Sequence, residues 1–216
     1  MELRRTANAG VLLTLDDTKI LLDGVSQEVK PYLATPPAEK EKLSSNWPDV
    51  VVFTHYHEDH CDSSYANDYS KATGRPVYGT SQMTGMVCTD KTFTAGNVRL
   101  TAVSTRHMGH YGKTTIHRSY AVEGSRSIWF MGDASPSELK LLAEFPKPDV
   151  LIIPYPYVST PAALKLLALL LPCKIVLLHL PLQENDPDGV WQSVEPGLEY
   201  LKAYLYVPEM GETLNL

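Results

Sequence analysis

Cysteine is scarce in this chain and scattered. The three cysteines, Cys61, Cys88 and Cys173, form no Cys-X-X-Cys and cannot all pair, which argues against a disulfide framework and a thiolate zinc site and fits a reducing, cytoplasmic setting. Long hydrophobic runs are missing too. The most apolar stretch, PAALKLLALLLP, is broken by Lys165 and falls short of the roughly 20 residues that span a bilayer, so no membrane partner is expected. Arg4 and Arg5 precede an apolar run, but Asp16 and Asp17 follow it with no small-residue cleavage site between. The amino terminus therefore reads as a β-hairpin rather than a signal peptide. No low-complexity tract or linker interrupts the chain, so one domain over residues 1–216 is expected.

Positive charge is also in deficit. A formal net charge of −6 does not suit a nucleic-acid surface, which needs clustered Lys and Arg to displace counterions, so no nucleic-acid partner is expected. The deficit is uneven. Between Arg99 and Arg126 five basic residues face one acid, so a segment of +4 sits in a chain whose remainder is −10. A basic loop on an acidic body suits a small anionic substrate, with Arg106, Lys113 and Arg118 as the residues to receive it; a solvated loop accounts for the same charges.

AGVLLTLDDTKILLDG reads as two strands joined by an Asp-Asp turn and ending at Asp23. The following VSQEVKPYLATPPAEKEKLSS is polar and proline-broken, a surface connection with one short helical turn. PDVVVF, from Pro48 to Phe53, is continuously apolar and β-branched, as a strand covered on both faces should be. It returns a hundred residues later as PDVLII, from Pro148, which suggests two similar α/β halves. NVRLTAVSTRH, SYAVEG and SIWFMGD read as strands between. Ser135-Pro136 and Thr160-Pro161 write two capped helix starts, the second opening a helix apolar nearly all round and hence buried. A third helix is expected near SVEPGLEYLKAYL and a last strand in TLNL.

The chemistry concentrates where strands stop. Directly after VVVF come His55, His57, Asp59 and His60. Imidazoles and a carboxylate suit zinc, and also manganese or iron. Four candidate ligands within six residues are too many for one tetrahedral ion that also keeps a water, which favours two divalent ions, zinc foremost. Further ligands are expected at other strand ends: His107 after RLTAVSTR, Asp133 after SIWFMG and His179 after KIVLL. His110 is the rival to His107, which is preferred because it terminates its strand.

THYHEDH resembles the HxHxDH signature of the metallo-β-lactamase superfamily, and His107, Asp133 and His179 follow in that family's order. The resemblance covers almost the whole chain and implies a four-layer αββα sandwich, an α/β fold. It implies that His55, His57 and His107 hold one metal, that Asp59, His60 and His179 hold the other, and that Asp133 bridges them. Asp23 matches the family's first motif, an acid supporting the site from behind. HEDHCD, with Asp62, together with the GD and PDVLIIPYPYVSTP segments, looks most similar to the branch containing ascorbate-6-phosphate lactonase and related phosphodiesterases.

The expected function is a binuclear metal-dependent hydrolase. Two cations would lower the pKa of a bridging water, and the hydroxide would attack a small anionic ester, a phosphodiester or phosphorylated lactone. Asp59 and His110 are the catalytic candidates, His110 or a metal-bound water serving as leaving-group acid. An iron-dependent oxygenase and a non-catalytic metal-dependent binding protein are the rivals. The oligomeric state, a homo-oligomer included, is open. Specificity should lie in residues 24 to 46, 82 to 92 and 108 to 118.

Overall fold

The computed structural model describes residues 1–83, 87–171 and 173–216; residues 84–86 of the middle specificity segment lie outside them. Two seven-stranded sheets pack face to face. The first holds β1 (Glu2–Arg5), β2 (Val11–Leu15), β3 (Thr18–Leu22), β4 (Val50–Val52), β5 (Val77–Tyr78), β6 (Val87–Cys88) and the last strand, β14 (Thr213–Asn215), in the order β14-β1-β2-β3-β4-β5-β6. The second runs from β7 (Thr92–Ala95) through β8 (Val98–Arg106), β9 (Ile116–Glu123), β10 (Ser127–Phe130), β11 (Val150–Pro154) and β12 (Lys174–Leu178) to β13 (Leu205–Tyr206).

The alternation in β2 and β3 puts Val11, Leu13, Leu15, Ile20 and Leu22 between the sheets, where they meet Leu100, Tyr120, Val122, Phe130, Ile152 and Val176 from the second. The outer faces are covered by helices. α1 (Pro37–Ser45) and α2 (Ser63–Thr73) bring Leu43, Tyr65 and Tyr69 onto Val51 and Phe53. α3 (Pro161–Ala168) and α4 (Val190–Leu201) bring Leu167, Val194 and Leu201 onto Leu151, Ile153 and Ile175. This is the expected αββα arrangement. Among the described residues, no helix is long and apolar enough to cross a membrane.

The repeated Pro-Asp-Val phrase has a structural cause. Each sheet contains an antiparallel hairpin followed by parallel strands, with β4 beside β3 and β11 beside β10. Asp49 accepts a hydrogen bond from the Lys19 amide (2.9 Å) and its own amide donates to the Lys19 carbonyl (2.8 Å). Asp149 does the same with Ser127, at 2.8 Å both ways. In both halves the aspartate ties the start of a buried parallel strand to its neighbour.

Asp16 and Asp17 take φ of 49° and 61°, the left-handed conformation that a two-residue hairpin requires. Three local expectations fail. The segment after Asp23 is no mere surface connection, because Val25, Ser26 and Thr35 are buried and α1 runs nine residues. Pro37 opens that helix at a position where a missing N–H costs nothing. The Ser135-Pro136 start leads into a 3₁₀ segment, Pro136–Glu144, with the Glu138 amide donating to the Ser135 carbonyl at 2.8 Å. α3 is capped as expected, Thr160 Oγ1 accepting from the Ala163 amide, but it lies on the outside, burying only Ala163 and Leu167.

Ile152→Ala, which empties space between the sheets, should lower stability by about 2–5 kcal/mol in urea denaturation. Leu169→Ala, just past α3 where Leu169 is 72% exposed, should change it by less than about 0.5 kcal/mol.

Candidate metal centre

Strand ends deliver the cluster. Asp23 follows β3, His55 follows β4, His107 follows β8, Asp133 lies three residues beyond β10 and His179 follows β12. The chain turns sharply there. Asp23 and His179 have φ of 46° and 62°, a conformation that L-residues adopt at some cost and that Asp and His tolerate better than most. Gly132, before Asp133, has φ of 52°, and a Cβ on it would lie 2.6 Å from the Thr54 side chain. The glycine of the GD pair is thus required twice, by conformation and by the approach of Thr54.

All seven residues expected to bind metal come together. Ligand-type atoms of His55, His57 and His107 lie within 4.8 Å of one another, as do those of Asp59, His60 and His179. Asp133 stands between the groups: its carboxylate is 3.6 Å from His107 Nε2, 3.3 Å from His60 Nε2 and 3.7 Å from His179 Nε2. His55 and His60 are fully buried and Asp133 is 7% exposed. His60 Nε2, His179 Nε2 and Asp133 Oδ1 are buried with no hydrogen-bond partner. Buried polar atoms left unsatisfied are costly, and three of them aimed at one point form the donor set that a hard or borderline cation takes up. The residues fit a metal.

The atoms behind the cluster fix which nitrogen faces it. Asp23, fully buried, accepts from the Thr54 amide (2.7 Å) and from Thr54 Oγ1 (2.6 Å), and its Oδ2 lies 2.9 Å from His60 Nδ1. Because the Thr54 hydroxyl spends its proton on Asp23, it accepts from His55 Nδ1, 2.9 Å away. His107 Nδ1 donates to the Met108 carbonyl at 2.6 Å. Each of these imidazoles therefore presents Nε2 to the cluster. Burial pushes Asp23 up and opposes charge on His60, yet Asp133 and Asp23 together hold His60 well above the usual imidazole range. Burial likewise opposes ionisation of Asp133, but His60 and His179 outweigh it and hold the carboxylate well below its ordinary value.

Thr54 and His117 stand behind the cluster, and of the two Thr54 carries no signal in the local sequence pattern. His117 is 2% exposed. Its Nε2 accepts from the Asp133 amide at 3.0 Å, and its Nδ1 donates to Thr105 Oγ1 at 2.7 Å. Thr105 contacts Ser119 Oγ, which donates to the Met131 carbonyl. Burial pushes His117 down to about 3, so it is a neutral prop that orients Asp133 and has no lone pair left for a metal.

Other expectations are corrected by position. His110 is exposed on the 3₁₀ segment Gly109–Lys113 and belongs to neither ligand group, whereas His107 does. Arg118 Nη1 donates to the carbonyls of Gly79 (3.0 Å) and Thr89 (2.8 Å). Arg106 reaches Ser137 at 3.3 Å, and Lys113 is exposed. None of the three lines the cleft above the cluster, so the basic loop does not fold over it. Asp62 caps α2, accepting from the amides of Ser64 and Tyr65, and pairs with Lys40 at 2.6 Å. Tyr155 lines the cleft, while Tyr157 is buried with its hydroxyl donating to the Ser135 carbonyl.

An αββα sandwich with histidines and aspartates gathered at the strand ends defines a metal-dependent hydrolase of the metallo-β-lactamase fold. The chain belongs to the beta-lactamase superfamily domain family, whose model matches residues 2–177. It is 28% identical over 239 aligned positions to a UPF0173 metal-dependent hydrolase of Pyrobaculum islandicum, the alignment covering all of both chains. It superposes on the structure of a possible metal-dependent hydrolase from Veillonella parvula with a TM-score of 0.77 at 19% identity, covering 100% of this chain and 99% of the other. An isothiocyanate hydrolase from Delia radicum gut bacteria gives 0.74 at 18% identity, with the same coverage. The two structures share the fold.

Thr54→Val removes the hydroxyl that links Asp23 to His55, and should weaken metal binding about 10- to 100-fold, read by competition with a chromophoric chelator. Asp133→Ala should lower the bound metal per chain in elemental analysis, and unchanged stoichiometry would rule out its bridging place.

Proposed function

We propose that the protein is a binuclear zinc hydrolase in which Asp133 links the two ligand groups. The observation that carries this reading is the meeting of His60 Nε2, His179 Nε2 and Asp133 Oδ1, all buried and without hydrogen-bond partners, from the turn that follows β4 and from the ends of β12 and β10. Five histidines and only two carboxylates, Asp59 and Asp133, surround the place of the ions, so two divalent cations would leave a net positive site. When bound, such a pair lowers the pKa of a shared water towards 7 and polarises the oxygen of the bond to be cleaved.

The chain's own residues do the rest. Asp23, Thr54 and His117 hold the imidazoles and Asp133 in place, which lowers the reorganisation needed as charge develops. Asp59 lines the cleft, with Oδ2 3.3 Å from His179 Nε2, and in this reading it orients the incoming water. The bond we assign is an ester, phosphodiester or lactone. The preference for an anion drawn from the basic loop loses its support, because Arg106, Lys113 and Arg118 lie elsewhere. Hydrolysis of isothiocyanates by a protein of this fold makes that group a fair addition to the panel. A reducing, cytoplasmic location fits the unpaired cysteines.

Purified protein loaded with metal should hold two zinc ions per chain and turn over at least one member of a panel of nitrophenyl phosphodiesters, phosphomonoesters, carboxylic esters, lactones and aryl isothiocyanates. Iron in place of zinc, with oxygen uptake and no hydrolysis, would overturn the proposal in favour of an oxygenase.

A further inference from the structure

The cleft over the cluster has a volume of about 530 Å³, and its wall beyond the ligands is made by Val29, Tyr32, Tyr56, Met108, Tyr155 and Glu58. No lysine or arginine lines it among the described residues. Arg118 is engaged on two backbone carbonyls and Arg106 on Ser137, while Lys30, next to Val29, is exposed and outside the lining. Apart from Glu58 the wall is built of tyrosine rings, Val29 and Met108. Tyr32 stands edge-on to His179, ring centroids 4.3 Å apart, and the Tyr155 ring lies 6.4 Å from the same imidazole. At the rim, Tyr56 is 50% exposed and Val29 36%, so apolar surface faces water beside the opening.

These features divide a bound molecule into two parts. The reacting group meets the histidines and aspartates. The remainder meets aromatic faces, a thioether and one carboxylate, Glu58. A negative charge on that remainder would lose hydration, meet no lysine or arginine in the wall and lie near Glu58, while its attraction to the metal site falls with distance. An apolar remainder would cover Tyr56, Val29 and Met108 and gain in proportion to the area removed from water. We propose that the substrate carries an uncharged, apolar or aromatic body that packs among Tyr32, Tyr56, Met108 and Tyr155 while its reacting group faces the cluster. The inference rests on the metal-centre reading, and names the substrate class that site accepts.

The test compares two zinc-directed probes that differ only far from the metal-binding end, phenylacetohydroxamate and its 4-carboxyphenyl counterpart. Their binding to the zinc-loaded full chain is measured by calorimetry at low and high salt. The uncharged probe should bind about tenfold more tightly or better, a gap of one decade in Kd. Low salt should not close the gap, as it would if a basic wall drew the carboxylate in. In the Tyr56→Ala/Met108→Ala variant, with zinc content checked by elemental analysis, the gap should shrink through weaker binding of the uncharged probe. Equal binding, tighter binding of the carboxylated probe, or no binding of either to protein that holds zinc would each overturn the inference. Failure of the hydrolytic reading is distinct: no ester or isothiocyanate would turn over although the uncharged hydroxamate still binds.

Discussion

The buried carboxylate of Asp23 is the constraint on which the rest of the site depends. It stands at the end of β3 with no exposure to solvent, and reaches His60 directly and His55 through the Thr54 hydroxyl. Ligand-type atoms of Asp23, His55 and His60 lie within 4.8 Å of one another, and His55 also groups with His57 and His107 and His60 with Asp59 and His179, so one acid sets a ring orientation in each of those groups. A buried carboxylate is tolerable only when its lone pairs are used. Here they take the Thr54 amide, the Thr54 hydroxyl and the His60 ring, and this satisfaction makes Asp23 rigid enough to orient others. His117, buried with its ring 5.0 Å from that of His55, plays the matching part for Asp133, holding its amide.

The sandwich makes this possible by bringing two sheets to a common rim. In each half, antiparallel strands supply reach and the parallel strands that follow end at the same level, so a residue just past one strand meets a residue just past another. The paired aspartates Asp49 and Asp149 hold corresponding strands in register at the opposite end. Register matters because a slip of one residue turns every side chain to the other face. It would carry His117 away from Thr105, its direct partner across β8 and β9.

What was legible in the sequence was what sits at a boundary. An apolar run that stops at His55, at Asp133 or at His179 marks both the strand and the ligand in one line of text. His117 was not legible because it lies within a strand and faces inward. Its role depends on Thr105 twelve positions away and on the backbone of Asp133, neither of which a local pattern shows. Arg106 and Arg118 misled because charge can be counted from sequence while direction cannot. Arg118 spends its guanidinium tying the second sheet to Gly79 and Thr89. Two prolines in succession at 36 and 37 read as breakers, although Pro37 occupies the helix position where it is best tolerated. The nonpolar surroundings of α3 were overestimated for a related reason: an all-round apolar helix can lie on an outer face, as Leu169 shows at 72% exposure.

The same rim concentrates the structure's unfavourable features. Left-handed backbone at Asp23 and His179, orphaned atoms on His60, His179 and Asp133, and a carboxylate buried among imidazoles all occur within one small volume. None of them favours the folded chain by itself, and the sheets packed through Leu13, Tyr120, Phe130 and Ile152 hold them together. Such strain persists where the surrounding structure over-determines it. A cation that binds the assembled cluster more tightly than the unfolded chain offsets these costs, and so stabilises the fold in proportion to that difference in affinity. Folding and metal binding are thereby linked through the same few atoms, those at which the strands end.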